Sequence, residues 1–123
     1  MSELRGVVVG HGSVAQALVE AAEEISGLRG VLVPVSNTGC DRGALEARVA
    51  AAVGEGAAVV FVDLAAGSCL LAVLRRLRDR DDVRIVTGVN LAMLVDFLFH
   101  RTLPPAEAAA HAANSGGSAI KVP

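Results

Sequence analysis

The sequence predicts a three-layer α/β sandwich built on a mostly parallel sheet, and three observations carry that reading. Four short runs rich in β-branched or apolar residues, 7–9, 31–35, 57–62 and 83–86, alternate with segments of helical periodicity. The third run is apolar throughout, the pattern of a strand covered on both faces. The chain of 123 residues is one domain long, and its hydrophobic fraction of 53% is enough to fill a core. Strand–helix alternation then gives a mostly parallel sheet flanked by helices, for which a strand order of two-one-three-four is supposed.

Each element has a start and a stop. Val7 to Val9 reads as the first strand, and Ser13 with Gln16 has the form of a capping box opening a helix over residues 14–25. Gly27 is a C-cap candidate before the second strand, which ends at Pro34-Val35. A polar loop with Asn37, Gly39 and Cys40 follows, and Leu45, Val49 and Val53 then mark a helix over 44–53, stopped by Gly54 and Gly56. The third strand ends at Asp63, and Ser68 is placed as the cap of a helix with Leu70, Val73, Leu74 and Leu77 on one face and Arg75, Arg76, Arg78 and Arg80 on the other. Asp81-Asp82 turns into the fourth strand, after which Asn90 caps a helix over 91–99 that is apolar around most of its circumference. Pro105 opens an alanine-rich helix to about Ala113, residues 114–117 stop it, and residues 118–122 are expected to form an antiparallel edge strand beyond a Gly116-Gly117 hinge.

Composition excludes several classes. A net charge of −2 with scattered Lys and Arg, only three Phe and no Tyr or Trp leave nothing to grip or stack nucleic acid. No apolar run approaches the ~20 residues of a membrane helix, so no direct membrane insertion is expected. Met1-Ser2-Glu3 lacks the basic-then-apolar pattern of a signal peptide, and Cys40 and Cys69 lack metal-ligand spacing, so a cytoplasmic protein with reduced thiols, no metal and no cofactor is expected.

The chemistry collects at strand ends. Gly10-His11-Gly12-Ser13 sits between a strand end and a helix start, where unpaired N–H groups and the helix dipole favour an anion and the glycines clear its approach. His11 is the candidate phosphoryl acceptor, with Gly12, Ser13 and Ser68 as candidate phosphate contacts. The predicted strand order sets Asp63 beside it at the switch point, where a carboxylate accepting one ring N–H leaves the other ring nitrogen nucleophilic. Ser36, Thr87 and Asn90 fall at the same end of the sheet. Cys69, at a helix start, could be a reactive thiol, although a small filling residue is the simpler reading. His100 and His111 are assigned no role.

Val9-Gly10-His11-Gly12-Ser13, then Val62-Asp63-Leu64 with Gly67-Ser68, then Thr87-Gly88-Val89-Asn90-Leu91 with Met93-Leu94 resemble, in order, the three motifs of the mannose-type IIA domains of the bacterial phosphoenolpyruvate-dependent sugar phosphotransferase system. The resemblance implies a single IIA-like domain over 1–123, phosphorylated on His11 by the histidine phosphocarrier HPr and passing the group to a IIB domain. It implies Asp63 as the partner of His11, a homodimer completed by exchange of the C-terminal strand, and association with a membrane permease complex. The chain departs from the family pattern at Ala66, at Cys69 in place of a proline, at Leu71 in place of an asparagine, and at Ala92 in place of a second proline. A regulatory phosphoprotein reporting phosphoenolpyruvate supply is the alternative. A small tetrapyrrole metal chelatase, which also begins with a strand and Gly-His-Gly-Ser, fits less well because it needs a second metal-binding histidine where this chain has Asp63 and Asn90.

Overall fold

The computed structural model describes residues 3–123. Four strands, β1 (Arg5–Gly10), β2 (Leu32–Ser36), β3 (Ala58–Val62) and β4 (Val83–Thr87), form one parallel sheet in the order β2-β1-β3-β4. Five helices accompany them: α1 (Val14–Ser26), α2 (Arg42–Val53), α3 (Ser68–Leu77), α4 (Leu91–Leu98) and α5 (Pro105–Ser118). Pro34 lies in β2, an edge strand, the place where a residue without an N–H is tolerated.

Alternation along the central strands splits the core into two layers. Val8 and Phe61 point to one face, where Ala15 and Val19 of α1, Leu94 and Phe97 of α4 and Ala108 and Ala112 of α5 close over them. Phe61 meets Phe97 edge to face, with ring centroids 5.3 Å apart. Val7, Val9, Val60 and Val62 point the other way, under Leu45 and Val49 of α2 and Cys69 and Val73 of α3. Gly6 is fixed by packing: a Cβ there would stand 2.6 Å from Leu32 Cδ2 and 2.7 Å from Phe97 Cε2.

Three sequence expectations are corrected. Ser13 makes no side-chain capping bond, and Gln16 instead donates to Glu20 Oε1 at 2.8 Å along the helix, so the capping box does not form. Ser68 is the first residue of α3 rather than its cap, a position taken by Gly67 at φ +97°. The hinge and edge strand at the C-terminal end are absent, because α5 runs through Gly116-Gly117 to Ser118 and residues 119–123 form no strand. The physical reason is close helix packing: a Cβ on Gly116 would fall 2.7 Å from Met93 Cε, and the Gly116 carbonyl accepts from Asn90 Nδ2 at 3.1 Å. A glycine pair that reads as a hinge is here the contact that lets α5 lie against α4. That contact also covers much of α4, whose Met93, Leu94, Phe97 and Leu98 are buried within the chain while Phe99, just beyond its end, is 62% exposed.

Candidate functional site

Parallel pairing of β1 with β3, Val9 opposite Val62, delivers His11 and Asp63 side by side at the carboxyl end of the sheet. The Asp63 N–H donates to the Val9 carbonyl at 3.1 Å and pins the second strand end to the first. The Asp63 carboxylate is then held from three directions. Oδ1 accepts the Leu64 N–H at 2.9 Å; Oδ2 accepts the His11 N–H at 2.9 Å and faces His11 Nδ1 at 2.7 Å. A carboxylate only accepts, so Nδ1 carries the proton and Nε2 is left with its lone pair. The His11 side chain is 42% exposed against 14% for Asp63, so the pair presents its nucleophilic edge outward and keeps its orienting carboxylate inside. Burial pushes the Asp63 carboxyl up, but the His11 side-chain and backbone hydrogen bonds, the electrostatic pull of the ring and the Leu64 N–H outweigh it and hold the group below the ordinary carboxylate range.

Close contacts shape the rest. A Cβ on Gly10 would stand 2.5 Å from Val14 Cγ1, with Asp63 Oδ2 at 3.4 Å, so this glycine makes room for the first side chain of α1. Gly12 adopts φ +59°, its N–H donates to Asn37 Oδ1 at 3.1 Å and its carbonyl accepts from Ser36 Oγ at 2.7 Å. The loop after β2 thus braces the His11 turn. Asn37 was legible only as a loop residue, and the signal that could have found it is its place after the strand paired with β1. Gly67 passes 3.9 Å from the edge of the His11 ring, measured from its would-be Cβ to Cε1, and brings exposed Ser68 at the start of α3 into the same neighbourhood. Ser68 also lines a cleft of about 150 Å³ with Asn37, Cys40, Asp41, Arg42, Leu45 and Leu71.

Cys69 is fully buried, with Sγ 3.7 Å from His11 Nδ1. Burial and the nearby Asp63 charge push its thiol up, more than a Ser68 hydrogen bond lowers it, so the reactive-thiol option from its helix-start position is overturned. Thr87 ends β4, and Asn90 serves structure, accepting from Met93 N–H at 3.0 Å as the α4 cap. Of the arginine run, Arg80 binds Asp82 and the carbonyls of Gly54, Glu55 and Gly56. Among the described residues, two groups place metal-ligating atoms within 4.8 Å of one another, His11–Asp63–Cys69 and Asp96–His100–His111. His100 and His111 therefore meet, which nothing in their separate positions along the sequence signalled.

The sequence model of the EIIA-man family, described as PTS system fructose IIA component, matches residues 6–114. The chain belongs to the EIIA-man family. As an EIIA-man protein it is a component of a sugar phosphotransferase system with a phosphotransferase role. Solved structures share its fold. Phosphotransferase system component EIIA from Streptococcus agalactiae superposes with a TM-score of 0.88 at 18% identity, covering 97% of this chain and 96% of that one. The mannose/sorbose specific IIA subunit from Enterococcus faecalis gives 0.87 at 21% identity over 99% and 96%. A phosphotransferase system permease described as putative, from Klebsiella pneumoniae, gives 0.85 at 21% identity over 98% and 90%. Among curated protein sequences none matches this EIIA-man chain. No described helix is long and apolar enough to cross a membrane.

Proposed function

We propose that this EIIA-man protein carries its phosphoryl group on His11 Nε2, taking it from HPr and passing it to a IIB domain. The observation that carries the reading is the 2.7 Å contact between Nδ1 and Asp63 Oδ2, which fixes the tautomer that leaves Nε2 nucleophilic on an exposed ring edge. In the forward step the Nε2 lone pair forms a bond to phosphorus as the N–P bond of the donor phosphohistidine breaks, and the departing imidazole keeps that electron pair. The phosphorylated ring holds its Nδ1 proton against the Asp63 carboxylate, which balances the positive charge gained. Transfer to IIB is the same displacement in reverse.

Ser13 and Ser68 are the proposed phosphate contacts, since both are exposed at helix starts and Ser13 forms no side-chain capping bond. Gly12 contributes through its positive-φ turn, because its N–H is already engaged by Asn37. Leu71, half-exposed in the cleft with Arg42, replaces the family asparagine and alters the face a partner would meet. We place the protein in the cytoplasm beside a membrane permease complex, as a homodimer in which residues 119–123 reach the neighbouring copy; Ile120 and Val122 are 77% and 97% exposed. Incubation with phosphoenolpyruvate, enzyme I and HPr, followed by mass spectrometry, tests the assignment. One acid-labile phosphate on His11, absent from His11→Ala, is the expected result; a label that survives in His11→Ala overturns it.

A further inference from the structure

We propose that Asp96, His100 and His111 form a binding site for one divalent transition ion of the zinc class, joining α4 to α5 at the end of the sheet opposite His11. The placement follows from the chain: α4 starts at the carboxyl end of β4 and runs away from it, and residue 101 reaches the entry to β1, where the Leu4 N–H donates to the Arg101 carbonyl at 2.9 Å. Asp96 lies in α4, and His100 follows two residues beyond the end of that helix, four positions on from Asp96. His111 comes from α5 and sets Nδ1 2.9 Å from each Asp96 carboxylate oxygen. His100 Nδ1 lies 2.7 Å from the Asp96 carbonyl and 3.6 Å from Oδ1. Ser115 Oγ donates to Asp96 Oδ1 at 2.8 Å and holds the carboxylate in place behind the rings.

A structural ion pair accounts for less than this. One imidazole is enough to partner a carboxylate that is 10% exposed, yet two rings converge here, their centroids 4.0 Å apart and their planes tilted by 32°. A cation held by both rings and the carboxylate gives each of the three a ligand's part. Two imidazole nitrogens and one carboxylate oxygen, all within 4.8 Å of one another, form a donor set that zinc-class ions accept, with water completing the shell. The His100 and His111 side chains are 35% and 48% exposed, so an ion can enter. On binding, the Nδ1 proton of each neutral ring relocates to Nε2, and the freed lone pairs meet the metal with no net proton release.

Calorimetric titration of tag-free protein with zinc chloride tests the site, with thermal unfolding as a second readout. Saturable binding of one zinc per chain and a raised Tm are expected, with affinity falling at least about tenfold in His100→Gln and in His111→Gln and unchanged in His11→Gln. Both substituted rings are partly exposed, so folding is preserved, as the far-UV spectrum checks. Zinc binding that is lost in His11→Gln and kept in His100→Gln and His111→Gln overturns the proposal in favour of the other cluster. No saturable binding up to about 100 µM zinc overturns it outright. Phosphorylation on His11 is read separately, so failure here leaves the phosphocarrier reading standing, and the reverse also holds.

Discussion

Asp63 illustrates how one side chain couples stability to chemistry. Its carboxyl is held below the ordinary range, so the folded chain binds that proton less tightly than the unfolded chain does. The resulting stabilisation is complete at neutral pH and is lost as pH falls from the ordinary carboxylate range through the lowered folded value. Asp63→Asn removes it, so acid unfolding of the variant followed by circular dichroism is expected to be less steep below about pH 4 than that of the parent. The same substitution offers Nδ1 an amide that no longer enforces one tautomer, and single-turnover transfer from phosphorylated HPr is expected to slow by about 10²-fold. Unchanged transfer would remove Asp63 from the role. Cys69 makes the opposite point: its buried thiol, pushed up beside Asp63, is expected to resist iodoacetamide in the native protein and react only after unfolding.

At the scale of an element, α5 shows how packing reverses a local signal. Gly116 and Gly117 are adjacent and both helical, yet a Cβ on the first meets Met93 and Asn90 while one on the second meets nothing within 4 Å. Gly117→Ala is therefore expected to stabilise by about 0.5–1 kcal/mol through helix propensity and a less free unfolded chain. Gly116→Ala is expected to destabilise by about 1–3 kcal/mol because overpacking outweighs the same gain. Urea denaturation of the two variants separates these outcomes, and equal effects would mean that the helix does not continue to Ser118.

For the whole molecule, the apolar circumference of α4 is a weaker argument for a partner than its sequence suggests, since α5 and α1 cover most of it within one chain. Phe99, Ile120 and Val122 stay open, as do Ile25, Leu64 and Leu71 elsewhere, and the β4 edge is unpaired among the described residues. A homodimer at micromolar concentration is expected from light scattering, weakened on deleting residues 118–123. A monomeric mass for the intact chain would sink the dimer while leaving the fold untouched.

Strands, helices and their order were legible because they rest on short-range periodicity: alternating apolar runs and glycine or proline stops lie within a few residues of the elements they define, as at Val7 to Val9 and at Asn90 before α4. His11 and Asp63 were legible as a pair for a related reason, since parallel strands all end on one side of the sheet and the supposed order sets the first strand beside the third. Tertiary structure alone decided that Asn37 braces the turn, that Cys69 is sealed beneath the ring, that Gly116 seats a helix instead of a hinge, and that His100 and His111 meet over Asp96. Each of these depends on a contact between residues distant in the sequence or on separate elements, and its sign is set by which atoms occupy the few ångströms around a side chain, a quantity that local pattern does not encode.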